Sequence, residues 1–121
     1  MNKSPKVSVC FLTFNSEKDN LKKSLIDLIK LDYQNIEFII SDDNSDDKSF
    51  QICKEITKRS NKRIILNKNK KNLGAWKNFY KAIKLSSGKY VFWACPDDFY
   101  QRNFISESIN RLSLDTKFIT C

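Results

Sequence analysis

The run VSVCFLTF, residues 7–14, is apolar at nearly every position and rich in residues that favour strands. A strand wet on one face alternates apolar and polar residues, so an unbroken run fits a strand buried on both faces of a parallel sheet. The residues after it should then lead into a helix. Asn15 or Ser16 can cap one, and Leu21, Leu25, Leu28 and Ile29 form a single apolar stripe from about Glu17 to Leu31. IEFIIS, Ile36 to Ser41, returns to β character and ends in DDNSDDKS, a cluster of turn formers and caps.

The alternation continues along the chain. Ile52, Cys53 and Ile56 predict a short helix from Ser49 to Arg59, and RIIL, Arg63 to Leu66, a third strand. After the polar connector NKNKKNLG, the i, i+3, i+4, i+7 spacing of Trp76, Phe79, Tyr80 and Ile83 predicts a helix with these residues as its core stripe. It should stop around Ser86, Ser87 and Gly88. YVFWA, Tyr90 to Ala94, reads as the fourth strand, Ile105, Ile109 and Leu112 as a last helix, and KFITC as the start of another strand. The predicted fold is α/β, a Rossmann-like parallel sheet with helices on both faces. Ligands in such folds gather beyond the carboxyl ends of the strands, where the strand order reverses. Three polar clusters, Thr13 to Asn15, Asp42 to Asp47, and Asp97 with Asp98, should converge there.

Composition narrows the chemistry. The 121 residues fit one domain, residues 1–121, and 40% hydrophobic content with nine Phe can supply its core. No run approaches the roughly 20 apolar residues that span a bilayer. Lys3 and Lys6 precede the first apolar run, yet no small-residue cleavage site follows, which argues against a secretion signal. The four cysteines are scattered without paired spacing, and reduced thiols in a cytoplasm are the expectation. The absence of His removes the commonest general base, leaving carboxylates, lysines, hydroxyls or a metal. The net charge of +8 is spread over nearly every element and reads first as solvated surface, with attraction to anionic phosphates or a membrane surface as the other reading.

Only two glycines are present, Gly74 and Gly88, so neither a dinucleotide fingerprint nor a Walker loop can form. A bound phosphate would need another neutralising group, and a divalent cation held by carboxylates supplies one. WACPDDF, residues 93–99, offers such a place, with Asp97 and Asp98 at a strand's carboxyl end. Two adjacent acids are also a common surface turn.

With these motifs in order, VSVCFLTFN, IEFIISDDNSDD and NLGAWKNFYKAIKLSSGKYVFWACPDD, the chain resembles the family 2 glycosyltransferases, nucleotide-sugar-dependent enzymes of the GT-A fold. The likeness covers nearly the whole chain and implies its nucleotide-sugar-binding half. It implies that Thr13, Phe14 and Asn15 border the nucleotide, mostly through backbone, while a helix cap is their plainer role. Asp42 or Asp43 would accept a hydrogen bond from a uracil-type base, where the plainer role is a turn. Asn72 and Gly74 match the family's N-x-G turn, and Asn78 faces the same rim. Lys77 is read as helix solvation, with phosphate contact the lesser role.

The family's DxD motif usually carries an acid where this chain has Cys95. Asp98 is implied as the main ligand of Mg²⁺ or Mn²⁺ and Asp97 as a ribose or metal contact, with exchanged roles open. Cys95 suits strand packing better than ligation of a hard cation. The implied reaction is inverting, metal-dependent transfer from a nucleotide-diphosphate sugar, UDP-type first, to an acceptor hydroxyl deprotonated by a downstream Asp or Glu. Twenty-three residues follow Asp98, and of their acids Glu107 and Asp115 neither suits that base. The acceptor-binding part and the base are therefore expected to be missing, as in a truncated product or fragment. A glycan or lipid-linked acceptor, bacterial surface-glycan assembly and peripheral attachment to the inner face of a membrane are further implications. A non-catalytic nucleotide-sugar-binding module is the alternative. A phosphoacceptor domain needs an acid pair after the first strand, where Thr13 and Asn15 stand, and acids along the rim argue against nucleic acid.

Overall fold

The computed structural model describes residues 4–112. Eight elements alternate: β1 (Val7–Thr13), α1 (Leu21–Ile29), β2 (Ile36–Asp42), α2 (Ser49–Lys58), β3 (Ile64–Lys68), α3 (Ala75–Leu85), β4 (Tyr90–Ala94) and α4 (Phe104–Leu112). The strands form one parallel sheet in the order β3-β2-β1-β4. The expected α/β sheet is thus present, while KFITC, Asp115 and Cys121 lie outside the described residues. Among the described residues no helix is long and apolar enough to cross a membrane.

All seven residues of β1 are buried, which explains its unbroken apolar run. Val7, Val9 and Phe11 point into a core shared with Leu21, Leu25 and Leu28 of α1, Cys53 of α2, and Ile105 and Ile109 of α4. Cys10 and Leu12 point to the other face, where Ala82 and the half-buried Phe79 of α3 cover them. Right-handed crossovers dictate this division. Chain growth from β1 through β2 to β3 runs in one direction and keeps α1 and α2 on one face; the return to β4 places α3 on the opposite one. The reversal lies between β1 and β4.

Two expectations fail in detail. Asn15 and Ser16 do not cap α1, which begins at Leu21 behind Asn20 in a left-handed conformation, φ 55°. Asn15 and Ser16 are instead tied to the segment before α2: the Ser16 amide donates to Ser49 Oγ at 2.7 Å, and the Asp46 amide donates to Asn15 Oδ1 at 2.8 Å. The stripe through Trp76 and Tyr80 is not the buried one either, since Trp76 is 77% exposed and Tyr80 61%. Asn78 and Ala82 face the sheet. Asn78 Nδ2 donates to the Ser41 carbonyl at 3.0 Å, and that buried bond ties this face of α3 to β2.

At the amino end of the sheet, Glu37 is fully buried inside β2. Its carboxylate accepts from Ser8 Oγ at 2.6 Å, the Ser87 amide at 2.6 Å and Ser87 Oγ at 3.0 Å, with Lys6 Nζ at 3.3 Å. Gly88 completes this clamp, because a Cβ there would lie 2.5 Å from Ser8 Oγ. Burial alone would raise the Glu37 carboxyl, but the bonds from Ser8, Ser87 and Lys6 outweigh it and hold it below its ordinary value. A depressed folded-state value gives stability that is present above the ordinary glutamate range and is lost as pH falls through the folded value. Glu37→Gln, which keeps the shape but removes the charge, should cost about 2 kcal/mol in urea unfolding at pH 7, and the deficit should shrink as the pH is lowered below that range.

Candidate nucleotide-binding cleft

The register Thr13 to Asp42 between β1 and β2, and Phe11 to Ala94 between β1 and β4, brings three strand ends to one rim. Asp42 is fully buried there. Its carboxylate accepts from Thr13 Oγ1 at 2.7 Å, Ser45 Oγ at 2.6 Å and the Ser45 amide at 2.8 Å. These bonds tie β1 to the turn after β2 and keep Asp42 inside the protein.

Asp43 does different work. Its amide donates to the Thr13 carbonyl at 2.9 Å. Its carboxylate accepts from Asn69 Nδ2 at 2.9 Å and the Leu73 amide at 2.8 Å on one oxygen, and from the Gly74 amide at 2.9 Å and Asn72 Nδ2 at 3.1 Å on the other. One carboxylate therefore grips the whole 69–74 connector. Gly74 takes φ +92°, a conformation that disfavours a side chain, and the space where its Cβ would stand is open. Asn69, which sequence reading missed inside a polar connector, also donates to Asn78 Oδ1 at 2.9 Å, and Ser41 Oγ donates to the same oxygen at 2.6 Å. Asp43, Asn69, Asn78 and Ser41 thus form one buried polar network.

This network floors a cleft of about 370 Å³ between the ends of β1 and β4 and the start of α3. Thr13, Phe14, Asp43, Asn72, Gly74 and Asn78 line it together with Trp93 and Cys95. Phe14 is 48% exposed. Six expected residues are thus brought together. Asn15, Asp42, Asp97 and Asp98 are not in the lining: Asn15 borders a separate hollow of about 400 Å³ with Glu17, Lys18, Asp46 and Asp47. Cys95, expected in strand packing, is half-buried on the cleft wall. Lys77 and Glu107 are exposed.

Asp97 and Asp98 stand just past the cleft's β4 wall, Asp97 exposed and Asp98 half-buried. The Asp98 carbonyl accepts from Ser24 Oγ at 2.7 Å, fixing the turn on α1, and its carboxylate accepts from Tyr100 Oη at 3.1 Å. Among the described residues no three His, Cys, Asp or Glu side chains converge on one point. Two adjacent carboxylates suit a hard cation that takes its remaining oxygens from a diphosphate and water, so the donor set fits Mg²⁺ or Mn²⁺. A larger trough of about 880 Å³ lies between α2 and β3, lined by lysines such as Lys54, Lys58 and Lys68, and includes none of these residues. The Cys10 and Cys53 thiols are pushed up to about 12 by burial, with the Glu37 and Asp42 charges adding to it, and are inert.

The two acid pairs should separate in stability measurements. Asp42→Ala leaves two buried hydroxyls and an amide without this acceptor and should cost about 3 kcal/mol in urea unfolding, whereas Asp97→Ala, at an exposed position, should change stability by less than about 0.5 kcal/mol.

Comparison with known proteins matches residues 8–121 to the family model described as Glycosyl transferase family 2. The chain is 31% identical over 114 residues to the Escherichia coli UDP-Glc:alpha-D-GlcNAc-diphosphoundecaprenol beta-1,3-glucosyltransferase WfaP, covering 94% of this chain and 44% of WfaP. It is 33% identical over 94 residues to the uncharacterized glycosyltransferase MJ1057 of Methanocaldococcus jannaschii, covering 78% of this chain and 32% of that protein. The chain thus spans less than half the length of either relative. Among solved structures, S. aureus TarS in complex with UDP-GlcNAc superposes with a TM-score of 0.79 at 26% identity, over 89% of this chain and 31% of TarS. The mannosyltransferase PcManGT from Pyrobaculum calidifontis, solved with GDP-Man and Mn²⁺, shares the fold with a TM-score of 0.84 at 18% identity, over 92% of this chain and 33% of that one. The chain belongs to glycosyl transferase family 2.

Proposed function

We propose that this chain is the donor-binding portion of an inverting, metal-dependent glycosyltransferase that takes its sugar from a UDP-type nucleotide sugar. The observation that carries the reading is the cleft at the strand-order reversal, which gathers Asp43, Asn72, Phe14 and Thr13 and reaches Cys95 on the β4 side, two residues before Asp97. TarS is bound to UDP-GlcNAc and PcManGT to GDP-Man and Mn²⁺, ligands that such a site would suit.

Asp43 rather than Asp42 meets the base, because Asp43 lines the cleft and Asp42 is fully buried. A uracil imide N–H would join or replace the Asn72 Nδ2 donor, the longest of the four that its carboxylate accepts. Phe14 offers its exposed ring at the mouth, and Thr13 and Gly74 bring backbone close to the nucleoside. Asn78 acts indirectly, by holding α3 against β2. Asp98 and Asp97 would hold Mg²⁺ or Mn²⁺ against the diphosphate, and that ion, when bound, stabilises the charge growing on the leaving nucleoside diphosphate. Tyr100 and Ser24 keep Asp98 in place for this.

The base that activates the acceptor is not assigned to any residue here. A glycan or lipid-linked acceptor, as WfaP's name states for that enzyme, would bring the protein to the inner face of a membrane. A chain that binds the donor without transferring sugar is the second reading.

Calorimetric titration with UDP should show binding that strengthens at least tenfold with Mn²⁺ and loses that gain in Asp98→Ala. Binding indifferent to the metal and to Asp98→Ala would remove the donor-site assignment. Metal-dependent binding without sugar transfer in an activity assay would select the second reading.

A further inference from the structure

The two tryptophans of the chain touch each other, and one of them, Trp93, lines the cleft. Trp93, on β4, lines the cleft, and Phe79 stacks on it with ring centroids 4.4 Å apart and planes 21° from parallel. Trp76 sets its ring edge-on to Trp93 at 5.3 Å and 74°. Trp76 nevertheless leaves most of its surface in water, at the first turn of α3, directly after the cleft-lining residues Gly74 and Ala75. Tyr80 is exposed one turn further along. The same chain fully buries Phe11, Phe38 and Phe92, so it has the means to bury large rings. At Trp76 it forgoes that stabilisation next to Ala75 and Trp93, two residues of the cleft lining.

We propose that Trp76, braced by Trp93, is the platform for the sugar ring of the nucleotide sugar. The inference rests on the reading of the cleft as a donor site. A pyranose presents a face of polarised C–H bonds surrounded by hydroxyls, and the electron-rich face of an indole complements that C–H face while leaving the hydroxyls to water and polar neighbours. Gly74 and Ala75 carry no bulk that would separate the platform from the cleft, and the space over Gly74 is open. The contact with Trp93 holds the Trp76 ring before any ligand arrives, so little side-chain freedom is lost on binding. The base end of the cleft, at Asp43, Asn72 and Phe14, has separate partners for the nucleoside. The platform therefore selects for the sugar and not for the nucleotide.

The test compares wild type, Trp76→Ala and Trp76→Phe in equilibrium binding with Mn²⁺ present, using UDP, UDP-glucose and UDP-GlcNAc as probes. Trp76 is exposed, so circular dichroism should show all three proteins folded. UDP should bind all three within about twofold, because the nucleoside does not touch the platform. A UDP-sugar that binds wild type more tightly than UDP should lose about tenfold in Trp76→Ala and recover most of it in Trp76→Phe. Tryptophan emission of the wild type should respond to that UDP-sugar beyond its response to UDP. Equal losses of UDP and UDP-sugar in Trp76→Ala would assign the platform to the base and overturn the inference while keeping the donor cleft. UDP-sugars that bind wild type no better than UDP, with Trp76→Ala indistinguishable from wild type, would overturn it as well. Failure of UDP itself to bind any of the proteins would remove the cleft reading and the platform with it.

Discussion

Two adjacent carboxylates shielded from water hold the carboxyl rim of the sheet in one arrangement. Buried carboxylates are tolerated only when fully hydrogen-bonded, and each of these is. Asp42 joins the end of β1 to the turn after β2, and Asp43 seizes the connector that leads into α3. Removing either would free the wall of the cleft as well as a turn. The stability of the rim and the shape of the candidate site are therefore one constraint.

The opposite end of the sheet is closed by a third buried acid, Glu37, which links β1, β2 and the segment between α3 and β4 through Ser8 and Ser87. With both ends fixed, α3 has little freedom in how it lies on the sheet. Its rotation follows from Asn78 rather than from its largest apolar residues, and the consequence is that Trp76 and Tyr80 face outward. An internal hydrogen bond thus decides which aromatic rings are available to a ligand.

The strands and most helices were legible because their signals are local. β1 and β2 are central in the sheet and buried along their whole length, so their runs of apolar residues could hardly mean anything else. The start of α1 was not legible, because Asn15 and Ser16 take partners some 30 residues away, at Asp46 and Ser49. The α3 face was misread for the same reason: periodicity counts apolar residues and is blind to a buried Asn whose partners are Ser41 and Asn69. Thr13, Phe14, Asp43, Asn72, Gly74 and Asn78 were found by motif and do share a cleft, whereas Trp93 was read only as part of a strand. Glu37 did carry a signal, a lone acid inside the apolar strand IEFIIS, which must find partners if that strand is central.

The central claim is that a divalent ion and a nucleotide meet between the end of β4 and the Asp43 turn. Paramagnetic broadening by Mn²⁺ in two-dimensional amide spectra, recorded with and without UDP, locates such an ion directly. The account predicts that UDP sharpens the dependence on metal and that amides of residues 13–15, 43 and 95–99 broaden together. Broadening centred on Glu17, Asp46 and Asp47, or spread over the surface acids regardless of UDP, would contradict it.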